Sequence, residues 1–183
     1  MTTAALPPDD KDWTWVLDRS CPDCGFDASD HPRARLGAGV RRVALRWRPL
    51  LDRPLAGERP RPEQWSALEY GAHVRDVFRI CLGRLQLMLA EDDPTFANWD
   101  QDATAVDDDY GAQDPFTVAR ELEAAAIAFA EAYDAVADGE WGRTGTRSDG
   151  ARFTVESFGR YVLHDPVHHV WDVEQGYDAL EGR

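Results

Sequence analysis

The stretch that decides the fold covers residues 161–172 and reads YVLHDPVHHVWD. It holds three of the chain's five histidines within six residues. His164 and His168 are four residues apart, so on an α-helix they lie one above the other on the same face. Two imidazoles at this spacing can bind one metal ion, provided that the rest of the chain supplies a third ligand and a scaffold to hold it.

Four segments, of which this stretch belongs to the last, show apolar residues at steps of three and four, the pattern of amphipathic helices. The first begins near Asp30 and ends before the Pro-rich region 54–62. The second opens at a capping box, Ser66 to Glu69, and runs to about residue 90. The third follows the N-cap Asp114 and ends near residue 136. The fourth follows Thr154 and contains a proline, Pro166, which should kink it.

These patterns predict an all-α protein, an up-down four-helix bundle with an irregular N-terminal extension and a long loop between helices 2 and 3. We expect residues 1–29 to form the extension and to dock on the bundle through the apolar patch 13–17, and residues 30–183 to form the bundle domain. The loop, 91–113, is acidic and aperiodic, and it could cover the metal pocket as a lid. The glycine-containing segment 140–152 is a connector with room for a short hairpin.

Composition limits the class of protein. The formal net charge of −14 opposes binding to nucleic acid or to an anionic membrane surface, since both depend on basic side chains. No apolar run reaches the roughly 20 residues of a membrane span, and the N-terminus has no secretory pattern, so we expect a cytoplasmic location. Lys11 is the only lysine among 20 basic residues, a bias typical of a GC-rich genome.

The candidate metal site combines three histidines. His73 lies on the inner side of the second helix, and His164 with His168 occupies one face of the fourth. Metal sites in helical bundles are built from such facing side chains, and three ligands leave a position open for water or substrate. Zinc is the first candidate, while nickel or iron suits the same imidazoles.

Three carboxylates have the spacing to accept hydrogen bonds from these imidazoles. Glu69 and Asp76 flank His73 on the second helix, and Asp172 is four residues after His168. His169 points about 140° away from His164 on an ideal helix, which places it outside the predicted ligand set. No residue is assigned a catalytic role from the sequence.

The cysteine pair Cys21 and Cys24 leaves several interpretations open. The C-x-x-C spacing could supply half of a zinc knuckle, with His31 as a partial complement, or a redox pair. Alternatively, the two residues are loop cysteines in a turn that docks on the bundle. With Cys81 the cysteine count is odd, which argues against a disulfide framework.

The segment from Trp65 to Asp76, with His73 inside it, followed by the C-terminal pair His164 and His168, resembles the DinB-like superfamily of four-helix bundles. This superfamily includes actinobacterial mycothiol-dependent transferases and maleylpyruvate isomerases, and bacillithiol transferases. The resemblance covers most of residues 30–175. It implies a divalent metal bound by the three histidines and a low-molecular-weight thiol activated by that metal. The Arg-rich composition fits an actinobacterium, in which the thiol would be mycothiol. The C-x-x-C segment, the 91–113 loop and Pro166 depart from the family pattern.

The function predicted on this basis is a metal-dependent S-transferase or isomerase that joins a mycothiol-type thiol to a small electrophile. In the alternative, the bundle binds a metal or a small ligand without catalysis. A third interpretation is a bundle without metal that serves as an interaction module, for example in a homodimer.

Overall fold

The computed structural model describes residues 12–182. Its helices and strands follow one another along the chain as α1 (Leu36–Leu51), α2 (Ala67–Ala90), α3 (Gln101–Asp107), α4 (Pro115–Asp134), β1 (Thr144–Thr146), β2 (Arg152–Thr154) and α5 (Val155–Glu181). The four long helices form the bundle, which confirms the predicted fold class. None of the described helices is both long and apolar enough to cross a membrane.

The ends of the long helices follow the capping signals of the sequence. Ser66 and Glu69 form the predicted capping box at the start of α2, Asp114 caps α4, and Thr154 caps α5. The first helix begins later than predicted, because residues 33–35 form a 3₁₀ turn before Leu36. The last helix continues through Pro166. The polar residues before the proline, His164 and Asp165, therefore lie on the same helix as those after it, His168 and His169.

The helices of the bundle do not simply pack in the order of the chain. The main contacts of α1 are with α4 and α5, and the main contacts of α2 are with the same two helices. Helices α1 and α2 therefore lie across a diagonal of the bundle, although they are consecutive in the sequence. As a consequence, α5 packs directly beside α2, and polar residues of the two helices can meet in one site.

Close packing at a glycine sets the position of α5 at its N-terminal end. A Cβ atom added to Gly159 would lie 2.7 Å from the ring of Tyr133 and 2.8 Å from Leu36. The Tyr133 hydroxyl also donates a hydrogen bond to the carbonyl oxygen of Val155 at 3.0 Å. These contacts fix α5 against α1 and α4 and leave its polar positions directed toward α2 and the N-terminal segment.

The described part of the N-terminal segment lies against α5. Val16, Cys21 and Phe26 are buried, and the Phe26 ring contacts the ring of His164 with centroids 5.4 Å apart. The ring of Trp13 lies against both His164 and His168. Residues 1–11 of the predicted extension fall outside the described residues.

The segment after α2 contains more structure than the aperiodic sequence indicated. It includes α3 and a 3₁₀ turn at Tyr110, whose hydroxyl donates a hydrogen bond to Asp76 at 2.7 Å. Arg75 pairs with the same carboxylate at 2.8 Å, and both side chains of this pair are buried. This polar network ties the segment to α2. Further along the chain, β1 and β2 form the short antiparallel hairpin for which residues 140–152 left room.

Candidate metal centres

Helix α5 carries two pairs of potential metal ligands, each with the i,i+4 spacing. One pair is His164 with His168, and the other is Asp165 with His169. Because the pairs are offset by one residue, they are rotated by about 100° around the helix and face different neighbours. Each pair meets additional donors, so two clusters form on adjacent faces of one helix.

The first cluster, which we name the three-donor cluster, consists of His73 from α2 with Asp165 and His169 from α5. One donor atom of each lies within 4.8 Å of the others. Asp165 Oδ2 lies 3.5 Å from His73 Nε2 and 3.6 Å from His169 Nε2. His73 is almost fully buried, so its ring is held firmly on the α2 side of the site.

The separations in this cluster suit a shared ion. At 3.5 and 3.6 Å they are too long for strong hydrogen bonds. Two donors that each lie about 2.1 Å from one tetrahedral ion are about 3.4 Å apart. In addition, the second carboxylate oxygen, Asp165 Oδ1, is buried without a hydrogen-bond partner among the described residues. A histidine, histidine and carboxylate set therefore fits a divalent metal, and it leaves coordination positions open.

Asp172 orients one of these ligands. Its Oδ2 accepts a hydrogen bond from Nδ1 of His169 at 2.8 Å, which leaves Nε2 of that ring directed toward Asp165. A carboxylate in this position selects the tautomer and makes the imidazole a better ligand. The sequence predicted such a role for Asp172, but on His168, whose Nε2 lies 3.8 Å from the carboxylate.

The protonation states of three potential ligands on α5 also favour binding of a cation. Burial alone would raise the pKa of Asp165, but the facing His169 and His73 outweigh this effect and lower that pKa to about 2. Burial, followed by the neighbouring His168, lowers the pKa of His164 to about 4. Burial lowers the pKa of His168 as well. Asp165 therefore offers an anionic oxygen at neutral pH, and burial favours the neutral form of His164 and His168, the protonation states that metal ligation requires.

The second cluster, the four-donor cluster, consists of Cys21, Cys24, His164 and His168, again with donor atoms within 4.8 Å of one another. Cys21 Sγ lies 3.6 Å from Nδ1 of His168. Three of the four residues are buried and Cys24 is half-buried. The three histidines predicted as one ligand set are thus divided, because His73 joins neither His164 nor His168 in the groups that the described residues form.

His169 is the residue that sequence reasoning missed. The predicted 140° offset from His164 is correct for a helix. However, α2 packs against the face of α5 that carries His169, so this residue lies beside His73 instead of away from all potential ligands. The rings of His73 and His169 lie 5.0 Å apart at an interplanar angle of 80°. The sequence did contain a pattern that indicates this site, because Asp165 and His169 have the same i,i+4 spacing as His164 and His168.

Glu69 and Asp76, which were expected to support His73, have other partners. Glu69 accepts hydrogen bonds from Ser66 and from the guanidinium of Arg59, and it thereby completes the capping box. Asp76 binds Arg75, Arg79 and Tyr110. Among the described residues neither carboxylate bonds to the His73 ring, and each is engaged instead by an arginine and a hydroxyl group.

A cavity of about 480 Å³ opens beside the two clusters. Asp165 and His169 lie in its wall together with His164 and His168. Trp99, from the segment after α2, lines the cavity and stacks on His73, with centroids 5.6 Å apart and planes at 7°. Part of the acidic 91–113 segment therefore covers the site, as a lid would. The remaining aromatic side chains of the wall are Trp13, Trp65, Tyr70 and Tyr161.

The fold and this cavity define a class: a four-helix bundle with potential metal ligands on facing helices and an open pocket above them. The chain belongs to the DinB superfamily, whose family model matches residues 38–173. This match confirms the resemblance seen in the sequence.

Among solved structures, the chain is similar to YfiT from Bacillus subtilis, described as a probable metal-dependent hydrolase with an unusual four-helix bundle topology. The TM-score is 0.74 at 18% sequence identity, and the match covers 81% of this chain and 87% of that chain. At this identity the likeness establishes the fold alone. No curated protein matches the sequence.

Proposed function

We propose that the three-donor cluster binds a divalent metal ion and that the protein is a metal-dependent enzyme acting on a small electrophile. A low-molecular-weight thiol of the mycothiol type is the proposed cosubstrate, which makes the reaction an S-transfer or a thiol-assisted isomerisation. The observation that carries the proposal is the grouping of His73, Asp165 and His169 at separations that suit one shared ion, with Asp165 and His169 in the wall of an open cavity.

Zinc is the ion that this ligand set favours, and nickel or iron(II) is compatible with two imidazoles and a carboxylate. When bound, the metal would lower the pKa of a coordinated thiol and so supply a thiolate nucleophile. Three protein ligands leave at least one coordination position for that thiol, as in catalytic rather than structural sites.

The protein's own residues would hold and shield the reactants. Asp172 keeps His169 Nε2 directed into the site through the bond to Nδ1. Trp99 lies flat against His73 and reduces the access of water to that ligand. The Trp99 ring is itself fixed by a hydrogen bond from its Nε1 to the hydroxyl of Thr104 at 2.8 Å.

Arg84 provides a cation for the substrate. It lines the cavity and is half-buried, and its guanidinium donates to the carbonyl oxygen of Ala97 at 3.1 Å. No carboxylate among the described residues forms an ion pair with it. Arg147, by contrast, is paired with Asp149 and bonded to Tyr161. Arg84 therefore favours an electrophile, or a thiol, that carries an anionic group.

Hydrolysis is the second candidate, and the description of YfiT as a probable metal-dependent hydrolase favours it. The same open position could bind water in place of a thiol, because a divalent metal lowers the pKa of coordinated water as well. In a further alternative the cluster binds a metal or small ligand without catalysis.

The experiment that separates these candidates is a paired assay of the metal-loaded protein. Anionic electrophiles are incubated with mycothiol, and esters and amides are incubated without any thiol. We expect thiol-dependent consumption of an electrophile in the wild type and its loss in His169→Ala, with His31→Ala as the matched histidine control. Thiol-independent hydrolysis that His169→Ala abolishes would replace the transferase by the hydrolase. Stoichiometric metal without turnover in either arm would support a binding protein.

A further inference from the structure

The four-donor cluster has no role in the chemistry proposed above, although it is the more completely enclosed of the two. We propose that Cys21, Cys24, His164 and His168 form a second, structural zinc site that fastens the N-terminal segment to α5. The site is independent of the proposed catalytic function and stands on its own geometry.

The local backbone presents the two cysteines together. The amide of Gly25 donates to the carbonyl oxygen of Cys21 at 2.9 Å, and the amide of Cys21 donates to the carbonyl oxygen of Phe26 at 2.8 Å. Gly25 has a φ of +71°, which a residue with a side chain adopts only with strain. This tight turn brings the thiols of Cys21 and Cys24 to the same side, where the helix supplies two imidazoles one turn apart.

The donor set and its distances suit zinc. Two thiolates and two imidazoles are a common ligand set of structural zinc sites, with C-x₂-C and H-x₃-H spacings. A sulfur about 2.3 Å and a nitrogen about 2.1 Å from one tetrahedral ion are about 3.6 Å apart. Cys21 Sγ and His168 Nδ1 are separated by 3.6 Å. All four positions of a tetrahedral ion would be filled by the protein, which is typical of a structural rather than a catalytic site.

An unsatisfied buried atom points independently to a ligand. Nε2 of His164 is buried and has no hydrogen-bond partner among the described residues, a state that costs free energy unless something binds there. His164 is only 4% exposed, and the rings of Trp13 and Phe26 cover it at centroid distances of 5.4 Å each. A metal ion bound at this nitrogen would supply the missing partner.

A metal ion at this site would connect the N-terminal segment to the wall of the cavity. Trp13 contacts both imidazoles of the four-donor cluster and also lines the cavity beside the three-donor cluster. A zinc ion at the four-donor cluster would hold this wall of the cavity in place. The two cysteines would thus act at a distance from the reacting atoms, by fixing the shape of the pocket.

The test uses the full-length chain with cobalt(II) as a spectroscopic substitute for zinc, together with metal analysis. We expect the wild type to bind two equivalents of metal and to show thiolate-to-cobalt charge-transfer absorption. Cys24→Ser should lose that absorption and one equivalent, whereas Asp165→Asn should keep the absorption and lose the other equivalent. Cys81→Ser is the matched cysteine control and His31→Ala the matched histidine control, and both should behave as the wild type does.

The wild-type spectrum keeps the proposal falsifiable even if Cys24→Ser does not fold. Cobalt absorption without a thiolate band in the wild type would overturn the site. A wild-type protein purified under reducing conditions with Cys21 and Cys24 joined as a disulfide and no metal at this cluster would also overturn it. A single metal equivalent in both the wild type and Asp165→Asn, with an intact thiolate band, would refute the three-donor cluster and leave this inference standing, so the two sites are judged separately.

Discussion

The carboxylate of Asp172 accepts a hydrogen bond from Nδ1 of His169 at 2.8 Å, and the same oxygen lies 3.8 Å from Nε2 of His168. One side chain therefore lies between the two clusters of α5 and touches a member of each. Only the contact with His169 is short enough for a hydrogen bond. The removal of Asp172 should therefore affect the three-donor cluster much more than the four-donor cluster.

Asp172→Ala should weaken metal binding at the three-donor cluster by about 10- to 100-fold, since the hydrogen bond that orients His169 is lost. The measurement is a competition titration against a chromophoric chelator. Glu174→Gln, on the same helix but paired at the surface with Arg46, is the control and should leave the affinity unchanged. Equal affinities in Asp172→Ala and the wild type would show that His169 needs no orienting carboxylate.

The identity of the residue at position 165 should decide metal binding in the three-donor cluster. Asp165→Asn removes the anionic oxygen that faces His73 and His169, so we expect the loss of one metal equivalent by elemental analysis after dialysis. Asp165→His restores a donor at the same helical position and should retain the metal. Retention of full metal content in Asp165→Asn would exclude this carboxylate as a ligand.

Trp99→Ala should leave the metal content unchanged and raise KM for the substrate by about fivefold, with a smaller change in kcat. The reason is that Trp99 stacks on His73 and forms cavity wall, and an aromatic contact of this kind contributes about 1 kcal/mol. Steady-state kinetics with parallel metal analysis checks this. Trp171→Ala, which removes a half-buried tryptophan that does not line the cavity, is the control.

Asp76→Asn should lower the free energy of unfolding by about 2 kcal/mol at pH 7, because it removes the anionic group that accepts two hydrogen bonds from the buried Arg75 and leaves Glu121, at 3.2 Å, as the ion-pair partner of that arginine. Burial raises the pKa of Asp76, but the hydrogen bonds from Arg75 and Tyr110 outweigh it and hold the pKa below 3.8. The folded-state pKa is thus depressed, so the stabilisation is fully present above about pH 4 and is lost as the pH falls through the folded-state value.

The difference between Asp76→Asn and the wild type should consequently shrink in acid, which urea denaturation at pH 7 and at pH 3 would detect. Asp52→Asn, at an exposed position 3.9 Å from Arg48, is the control and should change stability by less than about 1 kcal/mol. A difference that stays constant between the two pH values would contradict the assignment of the effect to the Asp76 carboxylate.

Gly159→Ala should destabilise the bundle by about 1–3 kcal/mol, because the new methyl group would meet the Tyr133 ring and Leu36 at distances under 3 Å. Thermal denaturation measures the change. Gly83→Ala is a matched control within α2, where an added Cβ meets nothing within 4 Å, and it should stabilise the protein by up to about 1 kcal/mol. Equal effects of the two substitutions would refute the close packing of α5 at this position.

Much of the fold could be predicted because its signals are local. The capping residues Ser66, Asp114 and Thr154 act on the amide groups of their own helices, so the starts of three long helices follow from short stretches of sequence. The order in which the helices pack, by contrast, depends on contacts between residues that are far apart in the sequence. The contact of Tyr133 with Gly159 joins residues of two separate helices, and no periodicity within either segment encodes it.

The potential ligands of both clusters could likewise be identified in the sequence, but their division into two separate clusters could not. The sequence by itself determined that α5 carries His164, Asp165, His168 and His169 with i,i+4 spacings, that His73 lies on the inner side of α2, and that a C-x-x-C turn precedes the bundle. Two pairs offset by about 100° are equivalent in any helical wheel. Only the tertiary structure decided that Asp165 and His169 face His73 while His164 and His168 face the cysteines, since that choice depends on the rotation of α5, and packing against α1, α4 and the N-terminal segment sets this rotation.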